Sequence, residues 1–188
     1  MAREWLRGAA ALTTGQEGGD VEDGGRCAEC GFWFSSVSTS NAAATVNNIG
    51  VSYSGVLEHW ERSPRLRRRR SATGWSPLEY ATHMRDVLLL FIRRILAILS
   101  MSEPELEVVS HDDLVASGGY NRLDPRVVAE QVNDAAQQLA TILEDLTPTD
   151  FARRGFRNGE ERTILEITQR AAHESQHHLL DMARGLES

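Results

Sequence analysis

The chain has 188 residues, enough for one domain with a hydrophobic core, and its 41% hydrophobic content is ordinary for a globular protein. Its formal net charge of -7 at pH 7 argues against nucleic acid as a partner, because phosphate contacts need a basic face. No apolar run reaches the roughly 18 residues of a membrane span, and the first residues lack the pattern of a secretory signal peptide. We therefore expect a cytoplasmic protein that binds neither nucleic acid nor a membrane.

The N-terminal part divides into two segments. Residues 1–25 are rich in Gly, Ala, Thr and acidic residues, a composition that predicts disorder. Residues 26–39 contain the two cysteines, Cys27 and Cys30, in the order Cys-Ala-Glu-Cys. A zinc ribbon needs four ligands, usually two such pairs. Three interpretations stay open: inert thiols or a residual zinc knuckle, a metal site shared with a partner chain, and a redox pair.

The remainder, 40–186, is predicted to be a single all-α domain. Apolar residues with a 3.6-residue period and capping signals predict four helices, at about 41–62, 77–99, 125–146 and 163–184. Ser76 and Pro77 form the clearest start, because Ser caps helices and Pro suits the first helical position. A long loop is expected at 102–123, and the polar segment 151–160 shows no strand pattern. Four such helices indicate a four-helix bundle.

The last predicted helix contains two pairs of potential metal ligands, each at positions i and i+4 on one face. One pair is His173 with His177, and the other is Glu174 with His178. At about 100° per residue, the first pair lies near the charged side of the helix and the second flanks its apolar side. A metal in a bundle core is bound from inward-facing positions. Glu174 and His178 are therefore favoured, with His173 and His177 as the alternative.

A third ligand is expected from the second helix, where His83 lies on the apolar side. Together with Glu174 and His178 it would form a site of two histidines and one carboxylate, which leaves positions open for water or substrate. A bound cation would also stabilise an inward-facing Glu174. Asp86 and Asp181 are candidates to orient the imidazoles. The plainer interpretations are a hydrogen-bonded core histidine and two solvated acids.

Two segments resemble motifs of a known family. The sequence Trp-Ser-Pro-Leu-Glu-Tyr-Ala-Thr-His-Met-Arg-Asp-Val at 75–87 resembles the second-helix motif of the DinB-like superfamily, and His-Glu-Ser-Gln-His-His-Leu-Leu-Asp at 173–181 resembles its last-helix motif. The resemblance covers about 40–186, and 27–32 is similar to a short extension of some bacterial members. It implies an up-down four-helix bundle whose second helix supplies one metal ligand and whose fourth supplies two.

The resemblance also bears on the choice of ligands. In its isomerase-like branch, the last helix carries Glu, His four residues later and Asp three further, which matches Glu174, His178 and Asp181. Many other members use three histidines, and His173 and His177 match that spacing if the register shifts by one.

The superfamily includes bacillithiol transferases and the mycothiol-dependent maleylpyruvate isomerase, so the resemblance implies a metal-dependent thiol S-transferase acting on a small electrophile. A divalent metal lowers the pKa of a thiol, and the thiolate is the nucleophile. Zinc suits this ligand set best, although nickel, iron and manganese also accept it. A low-molecular-weight thiol such as mycothiol is the expected cosubstrate.

Two other functions stay open: a non-catalytic metal-binding bundle, associated with stress or with protein interaction, and a hydrolase that uses metal-bound water. Tyr120 and Arg68 are candidates for contact with substrate or cosubstrate. Arg68 belongs to the basic run at 65–70, whose plainer interpretation is a solvated loop. A homodimer fits the resemblance, because related bundles often pair.

Overall fold

The protein is described by a computed structural model that covers residues 21–22, 25–72 and 74–187. Four long helices form the bundle: α1 (Ala42–Trp60), α2 (Pro77–Ser100), α4 (Pro125–Glu144) and α6 (Ile164–Glu187). The shorter elements are β1 (Val21–Glu22), β2 (Arg26–Cys27), α3 (His111–Gly118), α5 (Pro148–Phe151), β3 (Arg154–Arg157) and β4 (Glu160–Thr163). Short 3-10 helices occupy Phe34–Ser36, Pro64–Arg67 and Tyr120–Arg122. The predicted four-helix bundle is confirmed.

Each of α1 and α2 packs against both α4 and α6, so α1 and α2 lie across the bundle from each other. Ser54 on α1 donates to the carbonyl of Ala129 at 3.0 Å, and Glu61, just past α1, pairs with Arg126 in the first turn of α4. Residue numbers rise along α1 as they fall along α4, which makes these two helices antiparallel.

The bundle departs from strict alternation of helix directions between α2 and α4. Ser76 at the start of α2 donates to Asn121 just before α4 at 2.8 Å, and Arg85 donates to Gln131 further along both helices. The two helices therefore run in the same direction, and the connection between them must return along the bundle. This explains the length of the segment that was predicted as the loop 102–123.

Two predictions about connecting segments were wrong. The expected loop contains α3, which Ser110 caps by accepting the Asp113 N–H, and Gly119 ends it in the left-handed region at φ 62°. Most of the polar segment 151–160 belongs to the β3–β4 hairpin. Both strands are rich in charged residues, so they lack the alternation of apolar and polar residues that predicts a strand. The available signal was the turn Asn158-Gly159, with φ of 53° and 79°, since Asn-Gly is the preferred pair for such turns.

The N-terminal segment packs on the outer face of α6. Cys27, Phe32 and Val37 form a small buried cluster with Ala172 of α6. Val21–Glu22 pairs with Arg26–Cys27 as an antiparallel ribbon. Residues 1–20 and 23–24 of the segment that was predicted to be disordered lie outside the described residues. Within the described part of the chain, no helix combines the length and hydropathy needed to cross a membrane.

The start of α2 is fixed by a reciprocal cap. Ser76 Oγ accepts the Glu79 N–H at 3.2 Å, and the Glu79 carboxylate accepts the Ser76 N–H at 2.8 Å. Arg69 donates from two nitrogens to the same buried carboxylate. Burial raises the pKa of Glu79, but the hydrogen bonds from Arg69 and Ser76 outweigh it, and the pKa lies below its ordinary value of 4.5.

Replacing Glu79 by Gln should lower the free energy of unfolding at pH 7 by about 1–2 kcal/mol, because a charged cap and its pair with Arg69 are lost. A carboxyl whose folded pKa is lowered stabilises the fold above its unfolded pKa, and this contribution is lost as the pH falls through the folded pKa. Urea unfolding should therefore show a smaller difference between wild type and Glu79→Gln at pH 3.5 than at pH 7. Glu58→Gln, at an exposed position of α1, is the control and should change little. A difference that is the same at both pH values would contradict this assignment.

Candidate metal centres

The predicted ligands His83, Glu174 and His178 come together between α2 and α6, and one potential ligand atom from each lies within 4.8 Å of the others. His178 Nε2 is 3.3 Å from a Glu174 carboxylate oxygen, and the His83 and His178 rings have centroids 4.9 Å apart. Two ligands at 2.0–2.1 Å from a tetrahedral ion are about 3.3 Å apart. The separation of the His178 and Glu174 atoms thus suits a zinc-sized ion, and the donor set is one that divalent transition metals accept.

Asp181 lies behind His178, at 3.3 Å from its Nδ1. A carboxylate in this position accepts the Nδ1 proton and leaves the Nε2 lone pair directed at the ligand cluster. Asp181 was predicted to orient an imidazole, and that role requires this contact. The other predicted residue, Asp86, is bonded elsewhere: it accepts from the Tyr120 hydroxyl and pairs with Arg85 at 2.8 Å. Those two partners, rather than an imidazole, account for its position.

The electrostatics of the two histidines differ. Burial holds the pKa of His83 well below its usual range, and the charges of His178 and His111 lower it further. Burial also lowers the pKa of His178, but hydrogen bonds to Asp181 and Glu174 outweigh it and raise the pKa to about 9. The two carboxylates that stabilise a positive imidazolium would equally stabilise a metal cation, so the cluster suits a bound positive charge.

Aromatic side chains surround this cluster. The Trp75 ring lies 5.0 Å from that of His83, and the Tyr80 ring lies 5.1 Å from that of His178. His111, at the start of α3, is buried with its ring 4.6 Å from that of His83. His111 was not among the ligands predicted from the sequence, because its proximity to His83 depends on how α3 packs across α2. Together these rings limit the access of water to His83 and His178.

The two residues predicted to contact substrate, Tyr120 and Arg68, differ in their exposure and contacts. Tyr120 is buried and its hydroxyl bonds Asp86, while burial and that hydrogen bond raise its pKa. Arg68 is exposed. Its neighbours in the basic run tie the connection to the bundle, since Arg65 donates to the Leu186 carbonyl and Arg67 to the carbonyls of Asn121 and Leu123. Much of the run therefore has a structural role that its composition does not reveal.

The alternative ligands His173 and His177 face the N-terminal segment. His173 is only 2% exposed and packs against Phe34 at a ring distance of 5.0 Å, and His177 Nδ1 is 3.9 Å from Cys27 Sγ. The helical phase of α6 could not show that 26–37 packs across this face and buries His173. The structure thus brings the two pairs on α6 to different neighbours.

Helical bundles with ligand-type side chains on facing helices form a recognisable class of metal proteins, and comparison with known proteins identifies the family. The model of the DinB superfamily (DinB_2) matches residues 53–182, more than half of the chain, and the chain belongs to that superfamily. The matched part contains His83, Glu174 and His178. The chain is also similar to a solved structure, YfiT from Bacillus subtilis, with 14% sequence identity and a TM-score of 0.67. The alignment covers 78% of this chain and 86% of YfiT, which is described as a probable metal-dependent hydrolase with an unusual four-helix bundle topology. No curated protein matches the chain.

Metal content tests the inner cluster. His83→Ala, Glu174→Gln and His178→Ala should each lower the zinc content of the reconstituted, desalted protein by about one equivalent per chain, because three protein ligands hold the ion. Inductively coupled plasma mass spectrometry measures this loss. His59→Ala, at an exposed position near the end of α1, is the matched control and should keep the wild-type content. Unchanged zinc in His178→Ala would contradict the assignment.

Proposed function

We propose that this chain is a metal-dependent enzyme that adds a low-molecular-weight thiol, such as mycothiol, to a small electrophile. The proposal rests on the cluster of His83, Glu174 and His178 with Asp181 behind it. A site with three protein ligands keeps at least one position for an exogenous molecule, as catalytic zinc sites do and structural ones do not. A divalent ion bound there would lower the pKa of a coordinated thiol and supply a thiolate at neutral pH.

Each residue of the cluster has a role that follows from its surroundings. His83, whose pKa burial lowers, stays neutral and keeps a lone pair for the metal. Asp181 accepts the proton on Nδ1 of His178, so that Nε2 faces the centre. Glu174 is the one carboxylate of the donor set, and it leaves a single net positive charge around a divalent ion. An anionic nucleophile neutralises that charge, which favours thiolate over thiol at this position.

The side chains around the centre limit its contact with water, which favours a nucleophile other than water. Trp75 and Tyr80 pack against the histidine rings, and His83 is buried. A low-water site strengthens the interaction between the ion and an anionic sulfur. The preference for a thiol over water also draws on the superfamily, whose members of known activity use such thiols. Zinc is the proposed ion, since it suits imidazole, carboxylate and thiolate ligands together.

Hydrolysis is the second candidate, favoured by the likeness in fold to YfiT. The same three ligands would lower the pKa of a bound water instead of a thiol. A metal-binding bundle without catalytic activity is the third. We propose a cytoplasmic location for the thiol reaction, since Cys27 and Cys30 are free, as is usual in a reducing compartment. The absence of nucleic-acid and membrane partners and the homodimer stay predictions.

Thiol-dependent loss of an electrophile tests the proposal. Zinc-loaded protein is mixed with monochlorobimane and with mycothiol, bacillithiol or cysteine in turn, and conjugate formation is followed by fluorescence. We expect a rate above the uncatalysed reaction for one of these thiols. His178→Ala should abolish it, and Asp181→Asn should lower it by about 10–100-fold, as loss of a carboxylate behind a metal-bound histidine does. His59→Ala should have the wild-type rate.

The same preparations are assayed for hydrolysis of p-nitrophenyl acetate without thiol. Zinc-dependent hydrolysis that His178→Ala removes, with no thiol conjugation, would favour the hydrolase. Binding of zinc with neither reaction would favour the non-catalytic bundle and contradict the proposed transferase.

A further inference from the structure

A second cluster of ligand-type side chains lies on the outer face of α6, beyond the inner cluster. Cys27, Cys30, His173 and His177 each place a sulfur or ring nitrogen within 4.8 Å of the others. Cys27 Sγ is 3.9 Å from His177 Nδ1, although the two residues are 150 positions apart in the chain. With zinc–sulfur and zinc–nitrogen bonds of about 2.3 and 2.0 Å, the donor atoms of a tetrahedral zinc site lie roughly 3.3–3.8 Å apart. The cysteine–histidine separation is close to that range.

His173 provides an independent sign that this cluster takes a ligand. Its side chain is 2% exposed, and among the described residues neither ring nitrogen has a hydrogen-bond partner. Buried polar groups are almost always bonded, because leaving one unpaired costs free energy. Nδ1 lies 3.8 Å from a Glu174 oxygen, which is beyond hydrogen-bond distance. A metal ion bound to one nitrogen therefore satisfies an atom that has no hydrogen bond within the described part of the chain.

His177 has the environment typical of a metal-bound histidine. Its Nδ1 faces Cys27, while its Nε2 lies 3.4 Å from a Glu29 oxygen and 4.0 Å from Asp181. Histidine ligands commonly bind the metal through one nitrogen and donate the other N–H to a carboxylate. Glu29 lies between the two cysteines in the sequence, so the same turn supplies both the sulfur ligands and this carboxylate.

The turn that carries the cysteines is built to present both sulfurs to α6. Gly31 adopts φ 73°, which favours glycine, and its N–H donates to the Cys27 carbonyl at 3.0 Å. Gln176 of α6 donates to the Cys30 carbonyl at 3.0 Å and holds the turn against the helix. The spacings Cys-x2-Cys and His-x3-His are those of zinc sites with two cysteines and two histidines.

We propose that Cys27, Cys30, His173 and His177 bind a second, structural zinc ion that fastens the N-terminal segment to the outer face of α6. Four protein ligands complete a tetrahedral shell and leave no position for substrate, which distinguishes this centre from the inner one. A single Cys-x2-Cys pair supplies only two of the four ligands that a structural zinc site needs. In this proposal the other two ligands, His173 and His177, come from the same chain. The proposal does not depend on the inner cluster, because the two share no ligand.

Cobalt substitution tests the second centre directly. Full-length protein stripped of metal is titrated with Co²⁺, and absorption from thiolate-to-cobalt charge transfer is followed in the near ultraviolet. Wild type should develop this band with the first or second equivalent. Cys27→Ser and Cys30→Ser should each lose about half of it or more, since each removes one of two thiolate ligands. His177→Ala should weaken cobalt binding at the sulfurs.

His178→Ala is the matched control, since it changes the adjacent histidine of the other cluster. It should keep the charge-transfer band while losing the inner equivalent of metal, which separates failure of this proposal from failure of the proposed enzyme. A wild-type protein that binds cobalt without a thiolate band, or a His177→Ala variant with unchanged cobalt affinity and band, would overturn the second centre.

A measurement on wild type avoids dependence on variants that fail to fold. Alkylation of Cys27 and Cys30 by iodoacetamide is followed by peptide mass spectrometry, with zinc present and after removal of zinc by a chelator. We expect zinc to protect both thiols and the chelator to restore their reaction. Equal alkylation rates in the two states would overturn the proposal.

Discussion

The antiparallel packing of α2 against α6 determines where every ligand of the inner cluster lies. The two helices touch at Pro77 and Gly185, where a Cβ added to the glycine would meet the proline ring at 2.9 Å. His83 and His178 each lie about two helical turns from that contact, one on each helix, so they face each other at the same level. The cap of Ser76 and Glu79 fixes the residue at which α2 begins, and with it the phase of His83. A slip of one residue in either helix would rotate its histidine by about 100° away from the other.

Helix α6 carries potential metal ligands on two neighbouring faces, and the residues of the two faces alternate along the sequence. His173 and His177 share one face, Glu174 and His178 the next, and each pair is separated by one helical turn. The sequence analysis treated the two pairs as alternatives for one metal. In the structure, Glu174 and His178 lie next to His83 of α2, whereas His173 and His177 lie next to the turn that contains Cys27 and Cys30. Asp181 lies between them, 3.3 Å from His178 and 4.0 Å from His177. Its carboxylate therefore links the electrostatics of the two clusters.

The features that could be predicted from the sequence are those encoded locally. Helix periodicity and capping signals such as Ser76 placed the four long helices. The inward phase of His83, Glu174 and His178 selected the residues that meet. The features that were missed depend on distant parts of the chain. No local pattern shows that the turn around Cys27 packs on α6 and buries His173, because that contact joins segments some 150 residues apart. The direction of α4 likewise depends on how its connection packs, which helix periodicity cannot show.

The most direct test of two metal centres on one helix is anomalous diffraction from crystals of the zinc-loaded full-length chain, with data collected on both sides of the zinc absorption edge. With two centres occupied, we expect two peaks that disappear below the edge. One lies between α2 and α6 beside His83, Glu174 and His178. The other lies on the neighbouring face of α6 beside Cys27 and His177. A single peak, or an ion that His173 and His177 share with His83, would rule out two separate metal centres on α6.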